Sequence, residues 1–178
     1  MNDVVPPEFS RSFALNTIGA TPRAVTISAT AAECAALAAR FDLAAISKLE
    51  ASANLVASGE DVSCTGALRA ALVQHCVATG APVPAKVKTG FAIRFVTPAA
   101  GRSPAEEIEI ALEDIDIVEH DGAAIDLGEA VAQTLLLALD PFPRAKNAAE
   151  RLKAAGVIAE DDVLSGAFAG LKDLLKKA

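Results

Sequence analysis

Apolar and polar residues alternate strictly through the middle of the chain. From Lys48 to Leu55, Leu49, Ala51, Ala53 and Leu55 take every second position. Gly59-Glu60-Asp61 is a turn signal, and the alternation resumes from Val62 to Cys76. Val62, Cys64, Leu68, Ala70, Leu72, Gln74 and Cys76 share one face of that run, with Arg69 and His75 on the other. Gly80-Ala81-Pro82, followed by Pro84, marks the next turn. Val87, Thr89, Phe91, Ile93 and Phe95 then line one face of a third run, and Lys86, Lys88 and Arg94 line the opposite face. Period-two patterning broken by turn residues predicts an antiparallel meander with one face on a core.

Helical spacing replaces this alternation on either side. Thr30-x-x-Glu33 has the form of a capping box and opens a helix to about Arg40, with Cys34, Leu37 and Phe41 as its buried stripe. Asp126 caps a second helix, with Glu129 at the third helical position. Leu127, Val131, Leu135 and Leu139 give that helix a full apolar stripe, and Leu136 and Leu137 widen it enough to predict burial on two sides. Pro141 and Pro143 stop it. Glu8 to Ile18, with Phe9 and Phe13 on one face, and Arg23 to Ser28 read as further short strands. Ile108, Ile110 and Leu112 alternate with glutamates, and Ile115 and Ile117 alternate with aspartates in the opposite phase, which predicts a bulge or a break near Glu113-Asp114. Asn147-x-x-Glu150 caps a short helix ending at Gly156, and Leu164, Phe168, Leu171 and Leu175 suggest a last amphipathic segment. The fold class is therefore α+β: an antiparallel, partly closed β-meander packed with an N-terminal helix and a buried helix in the C-terminal half. Residues 1–146 read as one such domain and 147–178 as a short helical appendage.

Composition narrows the picture. The 178 residues are 52% hydrophobic and 22% charged, which supports a packed core and excludes global disorder. With no Trp and no Tyr, the seven Phe must anchor a large share of the packing. Asp3, Glu8 and Arg11 interrupt the N-terminus, unlike a signal peptide, and the longest strongly apolar run, Ala130 to Leu139, is too short to span a bilayer. Three widely spaced cysteines fit a reducing compartment. A cytoplasmic protein without membrane association is expected. Net charge is −7, but 106–129 holds ten acidic residues and no Lys or Arg, leaving the remainder net basic.

Candidate chemistry is sparse. There is no phosphate-cradling glycine motif and no G-x-S-x-G, and Lys88-Thr89-Gly90 stands without the S-x-x-K that would make it a hydrolase box. Cys64, Cys76, His75 and His120 lack the spacing of a zinc site, so the two cysteines read as small buried sheet residues. His75 and Cys76 are adjacent on a strand and point to opposite faces, so the histidine is badly placed to activate the thiol. No catalytic residue, metal or cofactor is assigned, and no small-molecule substrate is expected. The acidic run, with Glu107, Glu109, Asp114 and Asp116, reads as a solvated strand face or as a docking surface for a basic protein; Asp114-x-Asp116 lacks the rest of a calcium loop. Arg69, Lys86, Lys88 and Arg94, with Lys48 nearby, read either as a solubilising face paired to Glu50 or as a patch for RNA phosphate without aromatics for base stacking.

Three ordered stretches resemble the YceD family. They are Thr30-Ala31-Ala32-Glu33 through Ala38-Ala39-Arg40-Phe41-Asp42-Leu43; Gln74-His75-Cys76-Val77-Ala78-Thr79 followed by Pro82-Val83-Pro84; and Ile125-Asp126-Leu127-Gly128-Glu129 leading to Leu139-Asp140-Pro141-Phe142-Pro143-Arg144. The tail Phe168-Ala169-Gly170-Leu171-Lys172 resembles the family's C-terminal end. The resemblance implies an α+β fold, no catalytic activity and a role in accumulation of large-subunit ribosomal RNA. It marks Gln74, Cys76, Asp126, Leu127, Gly128, Pro143 and Arg144 as motif positions. Some relatives carry a C-x-x-C suggestive of metal, but here Cys76 is followed by Thr79, and Gly80-Ala81 stands where the family has an acidic or polar residue. The expected partner is large-subunit ribosomal RNA, bound through Arg69, Lys86, Lys88 and Arg94. The alternative is an adaptor whose acidic segment docks a basic ribosomal protein with no direct RNA contact.

Overall fold

A computed structural model describes residues 7–97 and 116–157. Its elements in chain order are β1 (Ser12–Ala14), a 3-10 turn (Leu15–Thr17), β2 (Arg23–Ser28), α1 (Ala31–Arg40), β3 (Ala45–Ser58), β4 (Asp61–His75), β5 (Pro82–Val96), β6 (Asp116–Glu119), β7 (Ala124–Asp126), α2 (Leu127–Leu137) and α3 (Ala148–Ala154). Two compact units divide the chain. One holds Met1–Gln74 with Pro84–Pro141, and the other holds His75–Val83 with Phe142–Ala178.

The first unit is built on a sheet of order β2-β3-β4-β5-β6. β2 pairs β3 and β3 pairs β4 antiparallel, as the alternation predicts. The β3–β4 hairpin closes through Gly59-Glu60 with Ser58 opposite Asp61, and Gly59 takes φ 67°, which a side chain would resist. β3 starts earlier than its alternation suggests. A bulge between Ile46 and Lys48 shifts the phase, so Ile46 and Leu49 are both buried although three positions apart. Two features depart from an antiparallel, partly closed meander. Among the described residues the sheet is open, with β2 and β6 at its edges, and β5 pairs β6 in parallel, Phe95 opposite Val118. A parallel neighbour needs a connection of about a dozen residues or more, and the chain between these two strands is that long.

One face of the sheet carries the core. Leu49, Leu55, Val62, Leu68, Ile93 and Phe95 join Leu37 of α1 and Leu127, Val131 and Leu135 of α2 in a single buried cluster. α1 opens with the full capping box: the Glu33 amide donates to the Thr30 hydroxyl, and the Thr30 amide donates to the Glu33 carboxylate. Cys34 and Leu37 are buried as predicted, while Phe41 is half-buried. α2 is covered on one broad side only. Leu136 and Leu137 are 45% and 78% exposed, so the predicted burial on two sides does not hold. Phe9, Phe91 and Phe95 are buried, but Phe142 is 72% exposed, so aliphatic side chains carry more of the core than the seven Phe do.

The N-terminal arm is mostly not a strand. Only Ser12–Ala14 pairs, antiparallel to β7, with Phe13 opposite Ile125. Phe9 nevertheless has no exposed surface. Gly128 explains how the arm comes so close. A Cβ there would lie 2.3 Å from the Phe9 carbonyl oxygen and 2.8 Å from the Arg11 nitrogen, so only glycine fits. The approach is sealed by the Leu127 amide donating to the Arg11 carbonyl at 3.0 Å.

In the second unit the Cys76 amide donates to the Ala81 carbonyl at 2.8 Å and the Val77 amide to the Pro143 carbonyl at 3.0 Å. α3 follows Asn147, whose side chain makes no capping hydrogen bond despite the N-x-x-E pattern. The helix ends with Val157 donating to Leu152 and Gly156 to Lys153, the paired bonds of a Schellman motif. The predicted runs around Ile108–Leu112 and Leu164–Leu175 lie outside the described residues.

Candidate nucleic-acid interface

Among the described residues no helix packs a buried cluster onto the sheet face opposite the core, and the residues of that face alternate with the buried ones. On β2 and β3 these are Ala24, Thr26 and Ser28 and then Lys48, Glu50, Ser52 and Asn54, matched as Ala24–Asn54, Thr26–Ser52 and Ser28–Glu50. On β4 they include Thr65, Ala67 and Arg69, matched as Asn54–Thr65, Ser52–Ala67 and Glu50–Arg69. Lys86, Lys88 and Arg94 are exposed on the same face of β5. The pleat therefore gathers all four basic residues that the alternation singles out onto one surface.

Their charges are not equivalent. Arg94 donates to the Asp61 carboxylate through Nη2 at 2.6 Å and Nε at 3.0 Å, so its charge is already answered. Glu50 faces Arg69 across the strands, yet its carboxylate pairs with Lys48 Nζ at 2.9 Å. Both are exposed pairs, which contribute about 0–1 kcal/mol each. Among the described residues Arg69, Lys86 and Lys88 have no ion-pair partner. Beside Arg69 the floor is cut back to small side chains. The hollow there, about 320 Å³, is lined by Thr26, Glu50, Ala51, Ser52, Ala67 and Arg69. Thr26, Ser52, Asn54 and Thr65 make no side-chain hydrogen bond among the described residues. They are the part of this surface that reading the strands singly passes over, because only the cross-strand register brings them together.

Of the acidic docking candidates, Glu107, Glu109 and Asp114 lie outside the described residues. Asp116 is exposed on edge strand β6, next to Ile93, and with Gln133 and Thr134 of α2 it lines a groove of about 160 Å³.

Several of the motif positions make structural contacts. Asp126 caps α2 by accepting from the Glu129 amide at 3.1 Å, and the same carboxylate accepts from the Arg11 amide at 2.8 Å and from the Ser10 hydroxyl. Leu127 is fully buried, and Gly128 admits the arm. Glu129 does not reach back to the cap. It binds Arg40 in a fork at 2.7 and 2.9 Å, and this pairing, with burial opposing it, lowers the carboxyl pKa. Gln74 is buried and its amide donates to the Asp140 carbonyl at 2.8 Å. Pro143 is buried and Arg144 exposed. Cys76 is buried and its sulfur accepts from the Ala145 amide at 3.3 Å. That bond, then one from the Thr79 side chain, brings the thiol down to about 7. Burial alone pushes Cys64 up to about 12, which suits a core residue and not a ligand. Among the described residues no three His, Cys, Asp or Glu side chains gather as a metal-binding group. His120 is buried, with Nε2 3.1 Å from the Glu60 carbonyl and Nδ1 accepting from the Gly122 amide at 3.0 Å.

A family model described as "Large ribosomal RNA subunit accumulation protein YceD" matches residues 64–175. The chain belongs to the YceD family. No curated protein and no solved structure matches the chain. The family's name ties the protein to accumulation of large-subunit ribosomal RNA. The YceD match takes in most of β4 and every described element after it, so Arg69, Lys86, Lys88 and Arg94 fall inside it, as do Gln74, Cys76 and the Asp126–Glu129 motif. The α1 stretch that resembles the family lies before the matched residues. Among the described residues no helix is long and apolar enough to cross a membrane.

Proposed function

We propose that this YceD-family protein is a non-enzymatic cytoplasmic factor that supports large-subunit ribosomal RNA accumulation by holding RNA on the open face of its sheet. The observation that carries the reading is the set Arg69, Lys86 and Lys88: three exposed cations on adjacent strands, none neutralised by a described carboxylate. Uncompensated cations on a broad face are the footprint of phosphate binding, and binding RNA displaces its counterions. Arg94 contributes less, because Asp61 already holds it. The overall charge of −7 does not oppose this, since ten of the acidic residues fall within 106–129, outside the strands that carry these cations, and what an RNA meets is the local field.

The test is binding of ribosomal RNA fragments across a salt series. Lys86→Ala with Lys88→Ala should weaken binding and lower the log–log salt slope by about 2, one for each phosphate no longer neutralised. Its melting temperature should stay within about a degree of the parent's, because neither side chain is buried. Unchanged affinity and slope in the double variant, with a basic ribosomal protein retained from lysate instead, would replace direct RNA binding with the adaptor reading.

A further inference from the structure

We infer that the open face takes double-stranded, A-form RNA and grips it by its sugar–phosphate backbone; the inference rests on the RNA reading above and narrows it. Three features of the face choose between forms of RNA. The first is what it lacks. Phe91 and Phe95 point into the core, Phe9 is buried with them, Phe13 lies on β1, and the chain has no Trp or Tyr. Recognition of single strands relies on aromatic platforms for unstacked bases, and the described strands offer none here.

The second feature is the row of uncommitted polar side chains. Thr26 faces Ser52, and Asn54 faces Thr65, across neighbouring strands. These hydroxyl and amide groups point to the outside and have no partner among the described residues. An A-form helix presents its 2′-hydroxyls along a wide, shallow minor groove, each able to donate and accept. A row of Thr, Ser and Asn answers that pattern, and Glu50, its charge met by Lys48, supplies a further acceptor in the wall of the hollow.

The third is relief. Ala24, Ala67, Ala71 and Gly90 keep the floor low, while Arg69, Lys86 and Lys88 rise from it. Lys86 and Lys88 stand two residues apart on one strand, about 6.6 Å along it. Arg69 rises from the strand alongside. A low, hydroxyl-rich floor with cations at one side fits a shallow groove and its flanking phosphates, and reads no base edge. Binding should depend on helical form and on the 2′-hydroxyl, and not on sequence.

The experiment measures fluorescence anisotropy of the full chain with three labelled probes of one sequence: an RNA duplex, the DNA duplex and the RNA single strand. The duplexes would be about 20 base pairs, beyond the roughly 16 that a double-stranded RNA-binding domain spans. The RNA duplex should bind about tenfold tighter than either competitor, and scrambling its sequence should change nothing. Arg69→Ala should lower the salt slope by about 1 on the RNA duplex. Ser52→Ala with Thr65→Ala should narrow the gap between RNA and DNA duplexes and leave the salt slope unchanged, with folding checked by circular dichroism. Equal or tighter binding of the single strand, or equal binding of the DNA duplex, overturns the inference while RNA binding stands. Binding of none of the probes by the folded parent overturns both readings.

Discussion

Gly128→Ala sets two physical arguments against each other with opposite signs. Gly128 is the second residue of α2, and on helix propensity alone alanine should stabilise it by up to about 1 kcal/mol. Packing says otherwise. The new methyl would sit 2.3 Å from the Phe9 carbonyl oxygen and 2.8 Å from the Arg11 nitrogen, both backbone atoms that no side-chain rotation can move aside. Either the helix shifts, at an overpacking cost of about 1–3 kcal/mol, or the arm lifts. Lifting gives up the Arg11–Asp126 and Leu127–Arg11 hydrogen bonds, about 0.5–1.5 kcal/mol each. It also gives up part of the Phe9 burial, about 1.5–3 kcal/mol if complete. The cheaper route sets the cost, and after the full propensity gain the variant should be less stable by up to about 2 kcal/mol. Without Trp or Tyr the assay is urea unfolding followed by far-ultraviolet circular dichroism. Faster hydrogen exchange at the Leu127 amide should accompany the loss if the arm lifts. A raised midpoint would refute the close approach of arm and helix.

Two other predictions follow from single side chains. His120 should carry a proton on Nε2, donating to the Glu60 carbonyl, and leave Nδ1 to accept from Gly122; nitrogen chemical shifts report the tautomer, and a proton found on Nδ1 alone would contradict the hydrogen-bond pattern. Glu33 is drawn from the ordinary 4.5 to about 2, first by its bonds from Arg11 and then by the Thr30 amide. A lowered carboxyl pKa stabilises the fold fully above the unfolded value and loses that contribution as the pH falls through the folded one. The stability deficit of Glu33→Gln should therefore be full at pH 7 and shrink between about 4.5 and 2; a deficit that stays constant through that window would remove Glu33 from the account.

The basic surface was partly legible because strand pleating is a local rule. Lys86, Lys88 and Arg94 share a face on spacing alone, and the structure agrees. That Arg94 is held by Asp61 while Lys86 is not depends on which strands lie side by side, and no spacing within a strand reports it. The motif positions show the same division. The pattern identified Asp126 as a helix cap, but not that its carboxylate also receives Arg11 and Ser10 from more than a hundred residues away. Glu129 fitted the position of a capping partner, and the nearby guanidinium of Arg40 outcompeted the helix's own amide for it.

By itself the sequence determined the α+β class, the three long strands and their inward faces, the capping box at Thr30 and the start of α2, because each follows from residue period and end chemistry within about a dozen neighbouring positions. Only the tertiary structure decided that the sheet stays open, that β6 joins it in parallel, that Leu136 and Leu137 face outward, and that Thr26, Ser52, Asn54 and Thr65 stand together beside Arg69. These depend on the register between distant segments and on which surfaces have something to cover them. Both are properties of the assembled layers, and a local repeat carries no information about either.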